Sequence, residues 1–360
     1  MEFAIAGLKT GGKSRLFHAL TGATGAPGGQ GAHKGALVVP DGRVDELARF
    51  SGSKKVTHPA LYLCDSPGLS ADPSGAHYND RILGDLRDVD GLLIVVRVFR
   101  SAIVPHPMGA VDPVRDIEQV LSDLRVSDLG IAEKRLEKLE NLIPREPKPE
   151  REYHEIERDV LVRIRRAIEE GVTPDLTHCS ESDLSTIRGY GFFILKPILL
   201  VANVGDLTSD EEKGRVSNLV EWGGPKGIPV VTINACLEGE LQEFPEEERA
   251  DYYEEMGLEG PGLVSLLQAT YERMDLISFL TTNENETRAW PVSRGITALR
   301  AAGVVHTDFM KGFIRADVVP FDDLIRLGSH AEAKKAGRMR SEGKEYLVHD
   351  GDVIFFHFSR

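Results

Sequence analysis

Short apolar runs alternate with amphipathic stretches in two parts of the chain, up to about residue 113 and again from Lys196 to about Leu280. The apolar runs predict strands at 2–6, 60–65, 91–98, 198–202 and 229–234. Strands that alternate with helical patterns are typical of a parallel sheet covered by helices. We therefore predict an α/β fold with a mainly parallel sheet, whose two halves are separated by an insertion.

The insertion itself has helical periodicity. Apolar residues share one helical face before a Pro-rich break at 144–149, and others share one face after it: Leu136, Leu139 and Ile143, then Ile156, Val160, Ile164 and Ile168. Two such stretches joined by a Pro-rich turn predict an antiparallel helical hairpin. The apolar stripes favour packing of the two helices on each other, while a partner-binding face is the alternative.

The first predicted strand leads directly into Gly7-Leu8-Lys9-Thr10-Gly11-Gly12-Lys13-Ser14, which has the G-x-x-x-x-G-K-S spacing of a phosphate-binding loop. Glycines let successive backbone N–H groups turn towards phosphate oxygens, and the start of the next helix adds its partial positive charge. Lys13 brings a point charge to the outer phosphates, and the Ser14 hydroxyl is a ligand for Mg²⁺. We predict that a nucleotide is bound here by Lys9, Thr10, Gly11, Gly12, Lys13, Ser14 and Arg15.

A second element of the same site is Asp65-Ser66-Pro67-Gly68, which follows the predicted strand at 60–65. In GTPase-like domains a D-x-x-G element stands at a strand end, where the aspartate holds Mg²⁺ through water and the glycine N–H contacts the γ-phosphate. We predict these roles for Asp65 and Gly68. Ser14 and Asp65 are thus the candidate metal residues, and Mg²⁺ is the expected cofactor.

The base of the nucleotide is expected at a later strand end, where Asn203-Val204-Gly205-Asp206 stands. Ordinary GTPases have N-K-x-D there, with the carboxylate accepting two hydrogen bonds from guanine; here Val204 replaces the lysine. Asn203 and Asp206 as simple helix caps are the alternative. A further strand ends near Ala235, whose backbone N–H is a candidate donor to the base.

Composition limits the remaining possibilities. With 360 residues, of which 41% are hydrophobic, the chain is long enough for two or three domains. No apolar run approaches the length of a membrane span and the N-terminus lacks signal-peptide features, so we expect a cytoplasmic protein without membrane contact. The cysteines are far apart in the sequence and form no metal-binding or disulfide pattern: Cys64, Cys179 and Cys236.

The net charge of −14 is carried by residues 1–275, since residues 276–360 are nearly neutral. An acidic protein surface does not bind nucleic acid non-specifically, because phosphate binding needs a clustered positive surface. Any nucleic-acid partner is therefore expected at the C-terminal part or at a restricted patch. In the C-terminal part a basic face is conceivable from Lys311, Arg315, Lys334, Lys335, Arg338 and Arg340. A mixed, solvated surface is the alternative for these residues.

With these motifs the chain resembles the YchF, or Obg-like ATPase, family along essentially its whole length. The most specific matches are 111–118 at the start of the insertion and several C-terminal stretches, namely Arg288-Ala289-Trp290, 301–309, 311–316 and 350–354. The resemblance implies a P-loop NTPase G domain, a coiled-coil helical insertion and a C-terminal β-grasp TGS domain. It divides the chain into a first G-domain part (1–113), the insertion (114–195), a second G-domain part (196–280) and the TGS domain (281–360).

The resemblance also implies ATP hydrolysis, often in preference to GTP, and association with ribosomes. The family has N-x-x-E at the base motif, so Val204 matches the apolar residue that contacts adenine, while Asp206 departs from the family's glutamate. A shorter carboxylate suits the donors of guanine, yet no lysine supports a guanine clamp. We therefore favour ATP and keep GTP as the alternative.

Catalysis is expected to be slow without a partner. Leu69 stands where many GTPases have a water-orienting glutamine, a substitution that the family shares. The family's proposed catalytic histidine matches His106, although its flanking prolines depart from the family pattern, and a loop histidine without a chemical role is the alternative. Lys13 is expected to carry much of the charge stabilisation. Gly29 takes the place of the family's Mg²⁺-binding threonine, within a glycine run, 28–35, that we expect to be mobile.

Two classes of function remain open at this stage. One is an ATPase that acts as a nucleotide switch on the translation machinery, with RNA contacts possible through the TGS domain or the helical insertion. The other is a nucleotide-binding adaptor with negligible hydrolysis, whose insertion and TGS domain bind a partner. The intact phosphate loop and Asp65 favour the first class, whereas Leu69, Gly29 and the prolines beside His106 favour the second.

Overall fold

The computed structural model describes residues 1–22, 33–206, 209–255 and 262–359. The chain forms two compact units. The larger unit contains 2–34 and 63–266, and the smaller unit contains Met1, 35–62 and 267–360.

Strands and helices alternate through most of the chain. The strands are β1 (Glu2–Ala6), β2 (His33–Val38), β3 (Lys55–Thr57), β4 (Ala60–Asp65), β5 (Gly91–Arg97), β6 (Ile198–Asn203), β7 (Val230–Ile233), β8 (Leu276–Thr282), β9 (Glu286–Ser293), β10 (Phe313–Pro320), β11 (Arg340–Glu342) and β12 (Asp352–Phe358). The helices are α1 (Lys13–Thr21), α2 (Gly42–Ser51), α3 (Ala76–Asp85), α4 (Pro113–Leu142), α5 (Lys148–Glu170), α6 (Glu181–Ser185), α7 (Asp210–Gly223), α8 (Ala235–Leu241), α9 (Glu246–Glu255), α10 (Gly262–Arg273), α11 (Ala298–Val305), α12 (Thr307–Lys311), α13 (Phe321–Leu327) and α14 (His330–Lys335).

The larger unit is built on a parallel sheet in which β1, β5, β6 and β7 are neighbours in that order. Every residue of β5 is buried, as expected for a central strand covered by helices on both faces. Apolar side chains of β5 and β6, such as Ile94 and Leu200, share a core with Leu219 of α7. The predicted α/β fold is confirmed, and the predicted strands agree with β1, β4, β5, β6 and β7 to within a residue. Strand β2 has no counterpart in the sequence-based prediction.

Helices α4 and α5 form the predicted hairpin. Asp112 caps the start of α4 by accepting a hydrogen bond from the Arg115 N–H, and Pro113 occupies the first turn, where its missing N–H costs nothing. The helices are antiparallel, because Arg135 pairs with Glu157 while the earlier Arg125 lies beside the later Gly171.

The predicted apolar stripes of the hairpin lie in one buried cluster, which contains Leu136, Leu139, Ile143, Val160, Ile164 and Ile168. Ile156 is the exception, because 41% of it is exposed. Its neighbour Glu157 is buried in its place and is held by Arg135 Nε (2.8 Å) and the Tyr190 hydroxyl (2.5 Å). The hairpin therefore contains a buried, fully bonded carboxylate that the apolar pattern did not predict.

The smaller unit contains a mixed sheet in the order β11-β10-β12-β8-β9-β3. Strand β3 pairs in parallel with β9, and Val44 and Leu47 of α2 share a core with Leu280 of β8 and Val353 of β12. Residues 35–62 therefore belong with the C-terminal residues, whereas the linear division assigned them to the first G-domain part. The reason is the pairing of β3 with the distant strand β9, which a division of the chain into consecutive segments cannot predict.

Within the described ranges, no helix is both long enough and apolar enough to cross a bilayer. The three cysteines are free: Cys64 is buried, Cys179 is half-buried and Cys236 is exposed.

Candidate functional site

The phosphate loop connects β1 to α1 and has a backbone that depends on glycine. Gly7 and Gly12 have φ angles of 139° and 95°. A Cβ atom on Gly7 would lie 2.4 Å from the Val95 carbonyl oxygen, and one on Gly12 would lie 2.1 Å from Nδ2 of Asn203. Thr10 also has a positive φ, 63°, which is uncommon for a residue with a side chain. The loop is thus held in a conformation that few sequences can adopt.

Lys13 lies inside this loop and is only 6% exposed. Its Nζ donates to the Leu8 carbonyl at 2.8 Å. Burial lowers the pKa of Lys13 to about 8, an effect that the nearby Asp65 carboxylate opposes. The ammonium group is therefore largely removed from water, and a phosphate group would be a favourable partner for its charge.

Asp65 ends β4 and is 8% exposed. Among the described residues its buried Oδ1 has no hydrogen-bond partner. A buried carboxylate oxygen without a donor is costly unless a cation completes its environment. Ser14, half-buried in the first turn of α1, supplies a hydroxyl in the same loop. This donor set is compatible with Mg²⁺, which favours carboxylate, hydroxyl and water oxygens.

The D-x-x-G element lies against the phosphate loop. A Cβ atom on Gly68 would be 2.6 Å from Cα of Lys9 and 2.8 Å from Nζ of Lys13. The Leu69 N–H donates to the Gly7 carbonyl, and the Lys9 N–H donates to the Leu69 carbonyl. The Leu69 side chain is 1% exposed and packs in the apolar core. Gly68 therefore lies against Lys9 and Lys13 of the phosphate loop, and the apolar Leu69 side chain has no group that could orient a water molecule.

Asn203 connects loops that are far apart in sequence. Its Nδ2 donates to the Gly11 carbonyl at 2.9 Å, and its Oδ1 accepts from the Ala235 N–H at 3.1 Å. The Ala235 N–H, a candidate donor to the base, is thus engaged by Asn203 in this structure. Asn203 fixes the end of β6 against the phosphate loop on one side and the start of α8 on the other.

The remaining residues of the base motif differ in exposure. Val204 is 3% exposed and belongs to the apolar core, so it presents little surface to a base here. Asp206 is exposed, and its backbone N–H donates to Oε2 of Glu212 at 3.1 Å. A cavity of about 250 Å³ lies beside this loop, lined by Val204, Asp206, Glu212, Lys213, Val216, Ser217 and Thr232. Arg15 is exposed on α1 and its Nη1 lies 3.5 Å from Sγ of Cys236.

His106 is buried, and both of its ring nitrogens are engaged. Nε2 lies 2.8 Å from Oδ2 of Asp116, and Nδ1 accepts from the Met108 N–H at 3.2 Å. These contacts assign the proton to Nε2. The ring lines a cavity of about 10 Å³ that also touches Leu8, Lys9 and Gly11 of the phosphate loop. His106 is therefore close to the loop, but in this arrangement it has no nitrogen available for a water molecule.

Sequence reasoning missed two charged residues near the phosphate loop. Arg97, the last residue of β5, is 3% exposed, and its Nη1 lies 3.4 Å from Oγ1 of Thr10. Asp116, in the first turn of α4, is 4% exposed and binds both His106 and Arg115. The available signal was Arg97 itself, a charged residue directly after the apolar run Leu92–Val96. Residues 28–32 of the glycine run, which include Gly29, lie outside the described residues.

The candidate basic residues of the smaller unit are largely paired with carboxylates. Arg315 pairs with Asp317, Lys335 with Glu332, Arg338 with Asp323 and Arg340 with Glu342. The surface around these residues is therefore mixed in charge.

Comparisons with known proteins agree over nearly the full length. Residues 276–359 match the family model YchF-GTPase_C, described as a protein of unknown function (DUF933). The chain is 34% identical over 365 residues to the "Ribosome-binding ATPase YchF" of Haemophilus ducreyi, covering 99% of this chain and 98% of that protein. It is similarly 34% identical over 367 residues to the protein of that name from Bacillus subtilis, with 99% and 98% covered.

A relative from a vertebrate and a solved structure extend the likeness. The chain is 31% identical to "Obg-like ATPase 1" of Gallus gallus, covering all of this chain and 92% of that one. The structure of the Schizosaccharomyces pombe YchF GTPase superposes with a TM-score of 0.79 at 24% identity, covering 99% of this chain and 97% of that one. At that identity the superposition supports the fold.

Proposed function

This chain belongs to the YchF, or Obg-like ATPase, family, and we propose that it is a Mg²⁺-dependent P-loop NTPase that hydrolyses ATP in preference to GTP. We further propose that it acts as a nucleotide switch on the ribosome. Both bacterial relatives carry the name ribosome-binding ATPase, and the vertebrate relative is named an ATPase.

The observation that carries the proposal is the pair formed by Lys13 and Asp65. A desolvated ammonium group and a carboxylate oxygen without a partner lie together at a loop of strained backbone. Phosphate groups would satisfy the first, and Mg²⁺ held by Asp65 and Ser14 would satisfy the second. When bound, Mg²⁺ supplies neutralisation of charge on the phosphate oxygens. Lys13 and the loop N–H groups provide the remaining charge stabilisation.

The base motif supports ATP over GTP. Val204 replaces the lysine of the guanine-specific N-K-x-D motif, and its side chain lies within the apolar core. The exposed Asp206 suits guanine donors, so GTP remains the competing ligand. The preference is expected to be modest, because one hydrogen bond gained or lost at the base changes affinity by only about 1 kcal/mol.

Hydrolysis is proposed to proceed slowly and to depend on His106. Because Nδ1 of His106 accepts from Met108 and Nε2 contacts Asp116, the loop must rearrange before the ring can orient water. A nucleotide or partner that favours the rearranged loop would raise the rate. The same engagement of His106 favours the second candidate function, a nucleotide-binding adaptor with negligible hydrolysis.

A ribosomal partner requires surfaces outside the nucleotide site. The helical hairpin and the smaller unit are the proposed surfaces, and contact with RNA through either is part of the proposal. The ion pairs of Arg315 and Arg340 leave a mixed surface, so such contact is expected to be local rather than a broad electrostatic coat.

Calorimetric titration with ATP and with GTP, each in Mg²⁺, tests the ligand. We expect binding of both, with ATP tighter, and no measurable heat of binding in Lys13→Met. Tenfold tighter binding of GTP would overturn the preference for ATP. Equal binding by Lys13→Met and the wild type would overturn the phosphate loop as the site.

A further inference from the structure

Arg97 is a buried arginine that contacts the phosphate loop and the loop that follows β5. Its Nε donates to the Phe99 carbonyl at 3.1 Å, and its Nη2 donates to the Val104 carbonyl at 2.9 Å. Its Nη1 lies 3.4 Å from Oγ1 of Thr10, and its Cζ lies 4.5 Å from the centroid of the Phe99 ring. One guanidinium group therefore joins the end of β5, the loop after it and the phosphate loop.

These contacts fasten two segments that must be correctly placed for hydrolysis. Thr10 is the non-glycine residue of the phosphate loop that holds a left-handed backbone conformation. Val104 lies two residues before His106, so its carbonyl fixes the approach of that loop to the site. The planar fork of an arginine spreads five N–H donors in a fixed geometry and can hold both segments in register, whereas the three donors of an ammonium group all lie on one nitrogen atom and fix less geometry.

The charge of Arg97 is poorly compensated within the protein. Among the described residues, the three acceptors of its hydrogen bonds are two carbonyl oxygens and one hydroxyl. Burial lowers its pKa, an effect that the nearby Asp116 opposes, but an arginine remains protonated in proteins. Asp116 is itself bound to His106 and Arg115. A buried cation in this position favours an anion in the adjacent loop.

We propose that Arg97 is a positioning residue of the nucleotide site. It holds Thr10 and the loop of His106 in register, and its buried charge favours the bound triphosphate. The inference rests on the proposed function, because it assumes that a nucleotide occupies the phosphate loop.

The test uses two substitutions that separate charge from geometry, Arg97→Met and Arg97→Lys. Arg100→Met is the matched control, since Arg100 is an exposed arginine that pairs with Glu211. The measurements are the affinity for a non-hydrolysable ATP analogue and the single-turnover rate of ATP hydrolysis at saturating protein. Arg97→Met should lose about tenfold or more in both quantities. Arg97→Lys should keep the affinity to within about threefold yet lose about tenfold or more in rate, because it retains the charge without the fork.

Rates and affinities of Arg97→Lys within twofold of those of Arg100→Met would overturn the inference, even if Arg97→Lys melts at a lower temperature. Such a result would leave Arg97 with a structural role alone. If Arg97→Met does not fold, Arg97→Lys decides the question by the same criteria. Failure of the wild type to bind the analogue would instead refute the proposed function, so the two failures are distinguishable.

Discussion

The buried Lys13 predicts that nucleotide affinity falls as the pH rises through 8. The pKa of this residue is lowered from 10.5 to about 8, chiefly by burial. Phosphate groups bind the charged ammonium, so above this pH the protein must take up a proton when the nucleotide binds. The affinity for the nucleotide should be close to its maximum at pH 7 and should fall about tenfold between pH 7 and pH 9. At pH 9 the protein should take up nearly one proton for each nucleotide that binds.

Calorimetry in two buffers that differ in ionisation enthalpy measures both the affinity and the proton uptake. Lys13→Arg is the control, because its guanidinium stays charged over this range and any affinity it keeps should be independent of pH. Wild-type affinities at pH 7 and pH 9 that agree within twofold, with no proton uptake, would refute the reasoning. Such a result would mean that the phosphates do not depend on the charge of Lys13.

Two further substitutions test the geometry of the site. Asp65→Asn preserves the shape of the side chain but removes its charge. In the wild type, replacing EDTA with Mg²⁺ should raise the affinity for ATP about tenfold or more, and in Asp65→Asn it should leave the affinity nearly unchanged. A gain equal to that of the wild type would exclude Asp65 as a metal residue. Gly12→Ala should destabilise the protein by about 3 kcal/mol, because its new Cβ would meet Asn203 at 2.1 Å. Gly22→Ala, at a φ of 62° and with no atom within 4 Å of its Cβ, should cost only about 1 kcal/mol in denaturant unfolding. Equal costs for the two substitutions would show that the contact with Asn203 is unimportant.

Much of the larger unit could be predicted because its signals are local. The apolar runs of β1 and β5 are each continuous in the sequence. The glycines of the phosphate loop stand within one short stretch, where the backbone conformation of the loop requires them. The hairpin was predictable for the same reason, since helical periodicity is set by neighbours within two turns. Ile156 fails that pattern because Glu157, which bonds to the half-buried Arg135 and Tyr190, takes the inward position.

The rest depended on contacts between distant parts of the chain. The pairing of β3 with β9 joins residues that are more than two hundred positions apart, so no window of sequence could assign 35–62 to the smaller unit. Asn203 has the residue type of a base-reading motif, yet its position between Gly11 and Ala235 shows that it fixes the loops. The engagement of His106 by Asp116 likewise depends on the start of α4, and the burial of Arg97 depends on three separate segments.

If this chain cleaves ATP at the phosphate loop, single-turnover hydrolysis with protein in excess over ATP, at saturating Mg²⁺, will show it. We expect slow phosphate release by the wild type, none by Lys13→Met, and a rate at least about a hundredfold lower in His106→Ala. Tight ATP binding without phosphate release above the Lys13→Met background would contradict this expectation and would favour the adaptor.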